Sequence, residues 1–301
     1  MVPGTATLPQ GQLWKAAIKW PMYSVAVMPM VVGTAIARSQ GFPFQPWRLA
    51  GLLAAAVLVL AWENLCNDVF DAETGIDVRK PHSVVNLTGR KTAVWGMAQL
   101  CLLLGLGIVA ALAWGQQDPT ILVLLAVACG LGYLYQGPPF RWGYAGWGEP
   151  LCFLCFGPIG VGLAYYSQAQ SWSWTIAPAA VSVGLAVTLV LFCSHFHQIE
   201  DDRAAGKRSP AVKLGLEGAL AWVNPWCALI YGAVAAGMVG GWVPWPAGLM
   251  GIGAWWWRRL AQFLDRHRAE PAALAPSKFL AIAQQFWSGV GLAVGYWLSL
   301  P

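Results

Sequence analysis

The chain has 301 residues, 57% of them hydrophobic and only 10% charged, with 18 Lys and Arg against 13 Asp and Glu. Soluble domains usually carry about 25% charged residues, and no polar stretch here is long enough to fold as one, so a soluble enzyme and a nucleic-acid-binding module are both excluded. Apolar runs of the roughly 18 to 20 residues that a bilayer crossing requires recur along the chain, and 19 Trp suit rings held at headgroup level.

The composition predicts an all-α integral membrane protein, one transmembrane domain over 1–301. A transmembrane β-barrel would instead alternate in ten-residue segments. The N-terminal MVPGTATLPQGQLWK lacks a basic region followed by a short apolar core, so no cleavable signal peptide is expected. Nine spans are predicted, over about 15–37, 48–68, 92–114, 119–136, 148–167, 175–197, 217–239, 242–261 and 279–299.

The first span contains a cation, Lys19. The second ends in AWENLCNDVFDAETGIDVRK, which places Asn64, Asn67, Asp68, Asp71, Glu73 and Asp77 within one short stretch. If that helix continues to about residue 75, Asn64, Asn67, Asp68 and Asp71 recur at i, i+3, i+4 and i+7 and share one face. The bare carboxylates would repel one another there. A hard divalent cation such as Mg²⁺, which takes oxygen ligands from one or two carboxylates and from substrate phosphates, resolves the repulsion. Arg79 and Lys80 follow, and then Arg90 and Lys91.

The fifth span holds CFLC at 152–155, whose plainer reading is two small residues packed in a helix. The seven Cys fall almost entirely in apolar runs and imply no disulfide framework. The sixth span ends in CSHFHQIEDDRAAGKRSPAVKLG. His195 and His197, two residues apart, point to different sides of a helix and make a poor zinc site; they are expected to face an internal cavity. Glu200, Asp201 and Asp202 form a second acidic cluster, again followed by bases: Arg203, Lys207 and Arg208. The turn between the seventh and eighth spans is GGWVPWP.

Nine spans put all the Lys and Arg except Arg38 and Arg48 on one side. The positive-inside rule makes that side cytoplasmic, with the N-terminus and both acidic clusters. RKPHSVVNLTG (79–89) and GKRSPAVKLG (206–215) also echo one another: a basic pair, a Ser, a short apolar step and a Gly. The echo suggests two equivalent half-sites facing one cavity. Acids, metal and bases together read as a cradle for a diphosphate, and an apolar cavity behind it would take an isoprenyl tail. A divalent-cation transporter could also cluster acids, although it would set them near the bilayer midplane on broken helices.

NDVFDAETGID resembles the first aspartate-rich motif of the UbiA superfamily of intramembrane prenyltransferases, with Asn67, Asp68, Asp71 and Asp77 at the motif positions. The last Asp follows a Gly and comes two residues later than in the commoner form, the spacing of the naphthoate branch. HFHQIEDDRAAGKRSPAVKLG resembles the second motif, matched at Asp202, Arg203, Gly206, Lys207 and Arg208. His197 and Gln198 stand where the family usually has Arg and Asp, and Glu200 or Asp201 is expected to compensate. YLYQGPPFRWGYAGWGEPLCFLCFGPIGVGL (133–163) resembles the family's connection between the fourth and fifth helices.

The resemblance implies a nine-helix bundle around a central cavity and two Mg²⁺ ions bridging a prenyl diphosphate. Asp68 and Asp71, with Asn67, would hold one ion, oriented by Asn64. Asp202, with Glu200 or Asp201, would hold the other. Arg79, Lys80, Arg203, Lys207 and Arg208 would bind the diphosphate, and Lys19 the carboxylate of the aromatic acceptor. The implied reaction is transfer of a prenyl group, phytyl in the nearest branch, to 1,4-dihydroxy-2-naphthoate with decarboxylation, in a bacterial plasma or thylakoid membrane. The family resemblance leaves homogentisate, 4-hydroxybenzoate and a chlorophyllide as rival acceptors.

Overall fold

The computed structural model describes residues 10–74 and 83–299, which are helical with no strand among them. Asp77, Arg79 and Lys80 lie outside the described residues. Helix α1 (Gln10–Ile18) stops at Lys19, whose left-handed backbone (φ 53°) leads into a 3₁₀ turn, Trp20–Tyr23, with Pro21 at its start. Helix α2 follows (Ser24–Ser39). The predicted first span is therefore not one straight helix: Pro21 has no N–H to continue the ladder, and Lys19 sits at the break.

Helix α3 (Pro46–Thr74) begins on a proline, whose missing N–H would be unsatisfied there anyway. Next come α4 (Val84–Thr88), α5 (Lys91–Gln116), α6 (Thr120–Gln136) and the short α7 (Trp142–Ala145). Helices α8 (Gly148–Leu154) and α9 (Gly160–Ala169) are joined by a π-helical turn, Cys155–Ile159, that contains Pro158. Helix α10 (Ala177–Ser194) leads through a 3₁₀ turn, Phe196–Gln198, into the six-residue α11 (Ile199–Ala204). Helix α12 (Pro210–Val239) is broken at Gly215, and α13 (Ala254–His267) and α14 (Ser277–Leu298) end the bundle.

Six helical stretches among the described residues are long and apolar enough to cross a membrane: Gly11–Ser39, Pro46–Thr74, Lys91–Gln116, Gly148–Ala169, Trp174–Ala204 and Pro210–Val239. Thr120–Gln136 is apolar and shorter. The predicted span at 242–261 divides instead into a 3₁₀ run, Trp245–Gly253, and α13. Pro244, Pro246 and three glycines, Gly248, Gly251 and Gly253, deny that run a regular α-helical ladder, and α13 carries Arg258, Arg259, Arg266 and His267.

Lipid tails are as apolar as leucine, so helices in a membrane are held by close packing of small residues more than by hydrophobic burial. The bundle follows that logic. A Cβ on Gly33 of α2 would strike the Val161 carbonyl and come within 2.9 Å of Tyr165 N on α9, and Cβ atoms on Gly291 and Gly295 of α14 would strike the backbone of the 3₁₀ run. Two apolar clusters result. One centres on α2, α10, α12 and α14, the other on α3, α5 and α6, and α9 contributes to both.

From their serines onward, the echoed strings form the same local structure. Ser83 precedes α4 and Ser209 precedes α12, both nearly fully buried. Each is followed by about one helical turn and then a glycine in left-handed conformation, Gly89 (φ 63°) and Gly215 (φ 69°). A long helix starts just beyond each glycine.

Candidate active site

A cavity of about 300 Å³ lies between the two clusters. Its wall is apolar over most of its extent, with Met30, Leu52, Leu60, Val109, Phe156 and Val187 among the contributors. Polar groups gather toward one part of it: Glu63, Asn64 and Asn67 from α3, Tyr135 and Gln136 from α6, and Ser194 from α10.

Helix α3 carries the first acidic cluster because it stays helical to Thr74. Asn64, Asn67, Asp68 and Asp71 therefore share a face, as their spacing predicts. Asp68 and Asp71 are 3% and 9% exposed. Asn67 Nδ2 donates to Asp71 Oδ2 at 2.9 Å, and the backbone N–H of Val84 donates to Asp68 Oδ2 at 2.7 Å. Glu73 turns away and pairs with Lys91 at 2.7 Å.

In the second cluster only Asp202 is buried, at 3% exposure. Its Oδ1 pairs with Lys207 Nζ at 3.0 Å, while Oδ2 is buried without a hydrogen-bond partner among the described residues. Glu200 and Asp201 are exposed, and Glu200 is held by Arg203 at 2.6 Å. The structure does not bring them to the buried oxygen of Asp202. Helix α11 is one and a half turns long, so three consecutive acids must point in three directions about 100° apart, and only one can face inward. Arg208 is exposed. His195 is buried beside Glu149, Nδ1 to Oε1 3.4 Å, and His197 and Gln198 are half-buried. Of this segment Ser194, and neither histidine, is on the cavity wall.

Tyr144, on α7, joins the clusters, and sequence reasoning missed it. Its hydroxyl donates to Asp71 Oδ1 at 3.3 Å and lies 3.4 Å from Thr74 Oγ1. Lys207 Nζ stands 5.0 Å from the centre of its ring, and its carbonyl accepts from Arg208 N at 2.7 Å. A chain of contacts thus runs Asp71–Tyr144–Lys207–Asp202. Gly146 (φ 93°) permits the clip, because a Cβ there would strike the Arg208 carbonyl. Burial raises the Tyr144 phenol above its ordinary value, so it remains a neutral donor to Asp71 throughout the physiological range.

No three His, Cys, Asp or Glu side chains converge as a ready metal cluster among the described residues. The donor set nevertheless fits Mg²⁺. Buried carboxylate oxygens with an unpartnered Asp202 Oδ2 are hard ligands, and Mg²⁺ commonly takes only one or two carboxylates beside water and substrate phosphate.

Fold and site define a polytopic helical membrane protein with an apolar cavity beneath an acidic, base-flanked rim. The chain belongs to the UbiA prenyltransferase family, whose model matches residues 26–289. It is 43% identical to the 2-carboxy-1,4-naphthoquinone phytyltransferase of Synechocystis sp., over 100% of this chain and 98% of that one. It is 35% identical to the chloroplastic enzyme of that name from Arabidopsis thaliana, over 96% of this chain and 78% of that one. A solved UbiA homologue from Archaeoglobus fulgidus, bound to DMAPP and Mg²⁺, superposes with a TM-score of 0.56 at 14% identity, covering 93% of this chain and 99% of that one.

Proposed function

We propose that the protein transfers a prenyl group, phytyl by its likeness to the phytyltransferases, from a prenyl diphosphate to a 2-carboxylated naphthalenoid ring, with loss of the carboxylate as CO₂. The observation that carries prenyl transfer is the continuity of one helix: α3 lines the apolar cavity at Asn64 and Asn67 and, one turn on, presents buried Asp68 and Asp71. A molecule with an apolar tail and a polyanionic head fits that gradient. A hydrated cation, as a transporter would carry, does not suit a wall this apolar. The choice of acceptor rests on the full-length likeness to the phytyltransferases.

In this reading Asp68 and Asp71, with Asn67, hold one Mg²⁺ and Asp202 holds a second. Asn64, on the cavity wall one turn before Asp68, faces the substrate. Bound there, the metal supplies positive charge to a leaving diphosphate. Lys207, Arg203 and Arg208, with Arg79 and Lys80, bind phosphate oxygens, Arg through its planar fork and Lys as a point charge. The allylic C–O bond breaks with its electron pair passing to the diphosphate, and the electron-rich ring forms the new C–C bond. The apolar wall keeps water from the developing carbocation. Lys19, at the α1 break three residues before cavity-lining Met22, is the candidate partner for the acceptor's carboxylate. The acidic rim faces the cytoplasm in this reading.

The test is purified protein in lipid with Mg²⁺, phytyl diphosphate and 1,4-dihydroxy-2-naphthoate, following diphosphate release and prenylated product by mass. Product should form and should vanish with EDTA and in Asp68→Ala. Diphosphate release without a prenylated naphthalene would remove the acceptor, and divalent-cation flux without diphosphate release would remove the reaction.

A further inference from the structure

We infer that Glu63 is the proton acceptor and anchor for a ring hydroxyl of the aromatic acceptor; the inference rests on the prenyl-transfer reading above. Among the described residues, Glu63 is the one Asp, Glu, Lys, Arg or His on the cavity wall. Its carboxyl has no hydrogen-bond or ion-pair partner among the described residues, and Gln136 Nε2 donates to its backbone carbonyl at 2.8 Å. The titratable groups around it are the thiols of Cys66, Cys129, Cys152 and Cys155 and the phenol of Tyr135. None of them is a cation. Space is kept for it: a Cβ on Gly132 of α6 would meet Glu63 Oε2 at 2.8 Å. An unanswered acid at membrane depth is costly and marks a functional group by default.

Its depth fits the acceptor. Glu63, Asn67 and Asp71 recur at i, i+4 and i+8, so Glu63 lies about 12 Å below Asp71 along the α3 axis. With the diphosphate at the rim, the reactive carbon of the donor lies just inside it, and the ring must approach that carbon to roughly 3–3.5 Å. Glu63 can accept from a hydroxyl of a ring so placed. Beside it Asn64 Nδ2, buried without a partner among the described residues, can donate to a second ring oxygen.

The step balances. The hydroxyl O–H breaks and its proton passes to the Glu63 carboxylate. The electron pair left on oxygen enriches the adjacent ring carbon, which bears the carboxylate. That carbon bonds to the donor, and the donor C–O pair leaves with diphosphate. The bond to the carboxylate then breaks, CO₂ departs, its electron pair restores the aromatic ring, and the oxyanion recovers the proton from Glu63.

The experiment compares wild type, Glu63→Gln and Glu63→Asp in lipid with phytyl diphosphate, Mg²⁺ and the dihydroxynaphthoate across pH. Glu63→Gln should lower kcat/KM for the acceptor by roughly 10²–10⁴-fold and abolish its rise from acid pH. The KM for phytyl diphosphate should stay within about threefold, which also shows that the variant folds, and Glu63→Asp should recover part of the rate. Glu63→Gln with an unchanged acceptor kcat/KM and acid limb, or with an equal loss on the donor side, overturns the inference. If wild type prenylates another phenol and no naphthalenoid, the acceptor reading falls, and the same three proteins with that phenol decide the role of Glu63 separately.

Discussion

Tyr144 shows how a single hydroxyl can tie two distant motifs. It reaches Asp71 across 73 positions of sequence, while its ring and carbonyl engage the Lys207–Arg208 pair. Tyr144→Phe removes the hydroxyl and keeps the ring. A net hydrogen bond contributes about 1 kcal/mol, so the KM for prenyl diphosphate should rise roughly fivefold with little change in thermal stability; an unchanged KM would mean that the hydroxyl does not organise Asp71. The sequence shows some of these residues and hides others for physical reasons. Asn64, Asn67, Asp68 and Asp71 are legible because helical periodicity fixes their shared face. Tyr144 is not, since its contacts are made by folding and leave no local pattern. The choice of Asp202 over Glu200 and Asp201 is hidden too, because it depends on how a six-residue helix is turned by its neighbours. Glu63 stands inside an apolar run of the sequence, but its place on the cavity wall depends on how α3 and α6 pack.

The elements are fixed by apolar runs and by prolines, and their contacts by glycine. Gly33 and Gly107 make a matched pair for testing this. A Cβ on Gly33 meets backbone atoms of α9 that cannot yield, whereas a Cβ on Gly107 of α5 meets nothing within 4 Å. Gly33→Ala should lower stability by about 1–3 kcal/mol, and Gly107→Ala should be neutral or slightly stabilising, since alanine is the better helix former. Thermal unfolding in one detergent reads both, and equal effects would reject small-residue packing as what holds α2 to α9. Most elements are legible in the sequence, since long apolar runs in a membrane protein have few alternatives to helix. The exceptions are instructive. The break at Lys19 depends on Pro21, and the 3₁₀ run Trp245–Gly253 on closely spaced Pro and Gly, within stretches whose hydropathy alone reads as continuous spans.

At the scale of the molecule, charge asymmetry is the sequence's clearest statement about the membrane. Arg38 stacks on Trp297 at 4.1 Å and Arg48 donates to the Ser167 carbonyl at 2.8 Å, so the two basic residues predicted for the opposite side are occupied within the fold. Exposed Trp114, Trp174 and Trp245 mark the same end, as rings do at a membrane interface. On a cysteine-free background, Arg203→Cys should be labelled by a membrane-impermeant thiol reagent only from the cytoplasmic side, and Trp174→Cys only from the other; the reverse pattern would invert the orientation. The two left-handed glycines, Gly89 and Gly215, carry a mechanical consequence. A residue at positive φ breaks the run of helical dihedrals, so the one-turn segments behind Ser83 and Ser209 take axes of their own, distinct from the long helices that follow. The rim is thereby aimed by its short turns while the long helices keep the tilt that their packing sets, as a pair of elbows lets a pipe end face one way and its run another.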